Sequence, residues 1–100
     1  MTLHGIELDS AAIRDFCKKW RIKELSVFGS ILRDDFRPDS DVDVLVEFLP
    51  GVPYSLLDLG GMWMELRQII GRDVDLKTPL DLSRYFRDEV VARARPLYAA

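Results

Sequence analysis

Apolar residues recur along the chain with two different periods. Ile13, Phe16, Cys17 and Trp20 follow Ser10 at helical spacing, which predicts an amphipathic helix with Ser10 as its cap. Lys18, Lys19 and Arg21 crowd its far end, where cations suit the helix dipole. Leu25–Phe28 then reads as a short strand that stops at Gly29. The loop from Ser30 to Ser40 holds a helical turn near Ile31–Arg33 and a turn at Arg37-Pro38-Asp39-Ser40. A stronger strand follows over Val42–Phe48. Val42, Val44, Val46 and Phe48 share one side of it, and Asp41, Asp43, Leu45 and Glu47 the other. One side is apolar throughout, while the other starts acidic.

Pro50-Gly51-Val52-Pro53 breaks the pattern. Leu56, Leu59, Trp63, Leu66 and Ile70 restore a helical stripe that ends at Gly71. The Gly60-Gly61 pair inside it marks either a late helix start or close backbone packing. Val74-Asp75-Leu76 reads as a third strand. Thr78-Pro79 resembles a cap with proline in the first helical turn, opening a last helix over Leu80–Arg95 that presents Leu82, Phe86, Val90 and Ala94. The alternation implies an α/β domain spanning residues 1–100: a small mixed sheet of three strands, or four, flanked by helices.

Composition narrows the chemistry. The 100 residues carry 17 Asp+Glu against 14 Lys+Arg, a net charge of -3, which argues against binding nucleic acid through bulk charge. No direct nucleic-acid partner is expected. No apolar run is long enough for a membrane span and no signal peptide is visible, so a cytoplasmic setting is expected. Cys17 is the one cysteine, and its helical face makes it a core residue. His4 is the one histidine, in an N-terminal stretch expected to be mobile. A Cys/His zinc site and a histidine-dependent triad are thereby excluded.

What remains is carboxylates, hydroxyls and basic groups. Asp41 and Asp43, two apart in a strand, share a face. Carboxylates that close repel unless a cation or proton sits between them, and magnesium suits such oxygen donors. If the third strand lies beside the second, Asp75 completes a trio able to hold two magnesium ions for phosphoryl transfer. Asp73, alternating onto the same face, is its competitor. Gly29 allows close backbone approach to a ligand, and Ser30 offers a hydroxyl and backbone N–H groups to phosphate oxygens. Arg33 would offset triphosphate charge or pair with Asp34, Asp35 or Asp39. Lys77 is a solvated lysine or a further phosphate contact.

Gly29-Ser30, ten intervening residues and then Asp41-Val42-Asp43 resembles the hallmark of the DNA polymerase β-like nucleotidyltransferase superfamily. The stretch Phe28–Phe48, with Arg33, Ser40 and the Leu45-Val46-Glu47-Phe48 tail, is similar to the minimal nucleotidyltransferase (MNT) group, and the likeness covers nearly the whole chain. The resemblance implies a nucleotidyltransferase fold. It implies Asp41 and Asp43 as ligands of two Mg2+ ions, with Asp75 as the third carboxylate that helps activate the attacking hydroxyl. Gly29 and Ser30 match the residues that hold the nucleotide triphosphate. It further implies AMP transfer from ATP to a tyrosine of a partner HEPN-domain ribonuclease toxin, this chain being the antitoxin of the hetero-oligomeric pair. Two alternatives stand beside that reading: an antitoxin that neutralises by binding only, and a transferase acting on a small molecule of aminoglycoside type. Ile31 and Asp34 stand where many members of the group have a basic residue and a glycine. Tyr54, Tyr85 and Tyr98 are candidate targets of self-modification, and Trp63 and Met64 candidate partner contacts.

Overall fold

The computed structural model describes residues 1–100. A hairpin of β1 (Thr2–Leu3) and β2 (Ile6–Glu7) leads into α1 (Ser10–Lys19) and β3 (Ile22–Phe28). A 3-10 turn over Gly29–Leu32 follows, then β4 (Val42–Phe48), α2 (Leu56–Ile70) and β5 (Val74–Lys77). A second 3-10 turn at Pro79–Asp81, α3 (Arg87–Arg93) and β6 (Arg95–Ala99) complete the order. Four strands form one mixed sheet in the order β5-β4-β3-β6, with β4 and β5 parallel and the other pairs antiparallel.

The register sorts the strand residues by face. Leu25 pairs with Val46 and Val27 with Val44, and these four are buried with Val42 and Val74 under the helices. α1 adds Ile13, Phe16 and Cys17 to this core, and α2 adds Met62, Leu66 and Ile70. The two helices are tied at the surface as well. Glu65 of α2 accepts hydrogen bonds from Lys19 and, at 3.1 Å, from Nε1 of Trp20. Burial pushes the Glu65 carboxyl up, but those two donors outweigh it and hold the group below the ordinary glutamate range.

Helix boundaries follow local chemistry. Asp9, not Ser10, caps α1: its carboxylate accepts the N–H groups of Ala11 (3.0 Å) and Ala12 (3.2 Å), and Ser10 is the first helical residue. Ser55 and Asp58 form a reciprocal capping box that starts α2 at Leu56, so the glycine pair lies well inside the helix. Close packing explains one of them. A Cβ on Gly61 would sit 3.5 Å from the Trp20 ring, whereas one on Gly60 would meet nothing within 4 Å.

The C-terminal quarter corrects the predicted helix over Leu80–Arg95. The box between Thr78 and Asp81 closes only a 3-10 turn. The helical stretch shortens to Arg87–Arg93 and buries no residue fully. The segment then becomes β6, with Leu25 opposite Tyr98 and Val27 opposite Arg95. Because β5 and β6 lie at opposite edges, the intervening chain must cross the sheet. It does so on the face away from α1 and α2, where Pro79, Val91 and Ala94 enclose a cavity of about 30 Å³ with Ser26 and Leu45. Pro96 is admitted because β6 is an edge strand.

The N-terminus also departs from expectation. His4 (φ 51°) and Gly5 (φ 77°) form the tight hairpin turn, and the His4 ring stacks on Phe36 at 4.9 Å. No helix is long and apolar enough to cross a membrane.

Candidate active site

The site forms where β3 ends and β4 and β5 begin. Phe28 pairs with Asp43 across β3–β4, and Asp43 with Asp75 across the parallel pair β4–β5. Cross-strand partners project to the same face, so the two aspartates stand side by side on the face away from α1 and α2. Burial raises the Asp43 carboxyl above the ordinary aspartate range. The charge of Asp75 adds to this and that of Asp41 to a smaller degree, while Lys77 and the Ser30 backbone N–H pull the other way.

Asp41 sits one residue ahead of β4, exposed, on the extended chain that feeds the strand. No three carboxylate, thiol or imidazole side chains converge on a single point: Asp43 and Asp75 are the close pair and Asp41 stands off at the entrance. Asp73 is drawn away. It forms a 2.9 Å ion pair with Arg67, whose guanidinium lies 4.7 Å from the Trp63 ring. Trp63 is further fixed by donating Nε1–H to the Val74 carbonyl at 2.8 Å, so it braces β5. Lys77 approaches Asp75 at 3.5 Å and is part of the cluster, not a free solvated cation.

Gly29 closes the site from the β3 side. Its φ of +71° lies in the left-handed region that favours glycine, and a Cβ there would fall 2.2 Å from Oδ2 of Asp43. The missing side chain therefore brings the backbone of the Gly29–Leu32 turn directly against the acidic pair. Ser30, the next residue, is half-buried beside it. Ile31 points into the core and is fully buried. Asp34 is exposed.

Arg33 ends the turn and pairs with Asp35 at 3.2 Å. It lines a cavity of about 350 Å³ with Phe28, Gly29, Leu32, Glu89, Val90 and Arg93. Arg93, held by Glu89 at 3.2 Å, is thus a second cation beside the turn, brought there by the crossing segment. Its placement had no signal in the helical reading of that stretch. A larger hollow of about 490 Å³ at the end of α2 lies among Arg67, Arg72 and Asp73 and holds none of the paired carboxylates.

Comparisons with known proteins bear on the fold and the family. The nucleotidyltransferase domain model matches residues 10–98. The protein adenylyltransferase MntA of Thermococcus cleftensis is 36% identical over 77 residues, covering 76% of this chain and 76% of that one. A solved structure, provisionally assigned as a minimal nucleotidyltransferase, superposes with a TM-score of 0.72 at 32% identity, covering 87% of each chain. The structure of a tri-AMPylated HEPN toxin of Shewanella oneidensis in complex with its MNT antitoxin shares the fold, with a TM-score of 0.62 at 19% identity, covering 91% of this chain and 70% of that one. The paired aspartates, the glycine set against them and this agreement lead to one conclusion: the chain belongs to the nucleotidyltransferase domain family, in its minimal nucleotidyltransferase group.

Proposed function

We propose that this protein transfers AMP from ATP to a protein hydroxyl, a tyrosine of a HEPN-domain toxin, and so acts as that toxin's antitoxin. The observation that carries the reading is the register pair Asp43–Asp75 with the Gly29 backbone set against it. The adenylyltransferase relative and the AMPylated toxin complex support the chemistry and the partner.

The residues fit a magnesium site. Asp43, Asp75 and Asp41 are hard oxygen donors, and burial, with the like charges of the other two, raises Asp43. A side chain at position 29 would collide with Oδ2 of Asp43, so glycine there leaves that oxygen unobstructed beside the backbone of the turn. Two magnesium ions held by Asp41, Asp43 and Asp75 would stabilise charge on the attacking and leaving oxygens.

The chain's own groups do the rest. Backbone N–H groups of the turn and the Ser30 hydroxyl hold the triphosphate, and Arg33 offsets its charge. Asp75 takes the proton of the acceptor hydroxyl. That oxygen bonds to the α-phosphorus, the bond to the bridging oxygen of the β-phosphate breaks, and pyrophosphate leaves with the electron pair.

The test is the intact mass of a HEPN protein incubated with this chain, ATP and magnesium. A gain of one or more AMP units, lost with Asp41→Asn, is expected. A stable complex without mass gain would overturn the transfer and leave an antitoxin that acts by binding.

A further inference from the structure

From Arg33 to Asp41 the chain has no regular secondary structure, yet this loop delivers Asp41 to the site. What fixes it comes from another element. Nη2 of Arg72, just past α2, donates toward three carbonyl oxygens of the loop: Ser40 at 2.8 Å, Arg37 at 3.2 Å, and Pro38. The Arg72 guanidinium also lies 4.9 Å from the ring of Phe36. Phe36 in turn stacks on His4 of the N-terminal hairpin. One residue beyond Arg72, the Asp73 carbonyl accepts the Val42 N–H at 2.9 Å. The chain is therefore tied down on both sides of Asp41, each time by the segment that begins β5.

Few side chains could make this tie. All three contacts come from the one Nη2 amino group, which a planar, permanently charged guanidinium holds in a fixed direction. A lysine ammonium has the charge without the plane that also lies over Phe36. The loop's own bonds, Ser40 N–H to the Arg37 carbonyl at 3.0 Å and Arg37 N–H to Oγ of Ser40 at 3.1 Å, close a turn around the anchored carbonyls.

We infer that Arg72 is a positioning residue for Asp41: by holding the 37–40 turn against the start of β5, it fixes where that carboxylate stands at the entrance to the Asp43–Asp75 pair. The inference rests on the reading of these three carboxylates as the magnesium site. Ordering the loop during folding spares the site that ordering when the cation arrives. Groups that orient metal ligands contribute roughly 10–100-fold to metal affinity.

Manganese is the probe, its binding followed by electron paramagnetic resonance in the full chain, with amide exchange at Ser40 and Val42 measured on the same samples. Arg72→Ala is expected to stay folded, bind manganese about 10-fold more weakly or worse, and lose protection at Ser40. Millimolar guanidinium is expected to restore part of both, which a general loss of stability would not allow. Arg72→Lys, the gentler change, is expected to fold like the wild type and still bind weakly. Wild-type affinity in either folded variant would overturn the inference alone. No manganese binding by the wild type, or binding that Asp41→Asn leaves unaltered, would remove the magnesium reading and the inference with it.

Discussion

A methyl group on Gly29 would lie 2.2 Å from Oδ2 of Asp43. Contacts that short do not occur, so Gly29→Ala must displace either the turn or the carboxylate. The left-handed φ adds roughly 1 kcal/mol of backbone strain. The expected result is a folded protein whose melting temperature falls by about 4–8 °C and whose ATP binding in magnesium is lost. Calorimetry of unfolding and of nucleotide titration together checks both halves.

Gly60 makes the opposite case. It is helical, and a Cβ there would touch nothing within 4 Å. Gly60→Ala removes backbone entropy from the unfolded chain and should stabilise by about 0.5–1 kcal/mol, raising the melting temperature by several degrees. A fall would show that the α2 surface at this point is not free.

Asp43 and Asp75 are adjacent and like-charged, so without a cation they oppose folding. Asp43→Asn and Asp75→Asn should each raise the melting temperature in EDTA. Added magnesium should stabilise the wild type and leave both variants nearly unchanged. A thermal scan with and without magnesium decides it, and variants less stable in EDTA would contradict the account.

Burial pushes the Cys17 thiol up to about 12 from an ordinary 9. A raised value means that the folded state keeps its proton where the unfolded state has lost it. The contribution to stability is full below pH 9 and drains away between about pH 9 and 12. The native thiol should resist iodoacetamide at pH 8 and react once the chain is unfolded in urea. Cys17→Ala should flatten the alkaline fall in stability, which a pH series of urea melts would reveal.

Elements with strong periodicity or caps were legible in the sequence. β4 runs over Val42–Phe48 and α2 over Leu56–Ile70 as expected, because alternation and the apolar stripe there are set by burial under one core. The paired aspartates needed one further fact, that β5 lies parallel to β4 in register, and the apolar Val74 and Leu76 flanking Asp75 signalled that strand. The last helix misled because Leu82, Phe86, Val90 and Ala94 keep a four-residue spacing. Leu82 alone among them is buried, and it precedes α3, so the spacing does not trace one buried helical face. Long-range pairing with β3 decided the fate of Arg95–Ala99, and local propensity carries no trace of that partner. The positive-φ turn at His4-Gly5 had a local signal, a glycine between Leu3 and Ile6, too short to register as a hairpin. The role of Arg72 had none, since its partners are backbone carbonyls more than thirty residues away.

The pairing of β3 with β6 also orders events in time. Glu24 meets Ala99, and the Ala100 N–H reaches the Lys23 carbonyl at 2.8 Å, so three-quarters of the chain separates the partners. On a translating ribosome β3 can pair with β4 early but keeps one edge bare until residues 95–99 have emerged. Its Leu25 and Val27 are apolar and among the most deeply buried positions in the finished fold. The interval between those two moments is when this chain is most open to β-strand addition by another nascent copy or to capture by a chaperone.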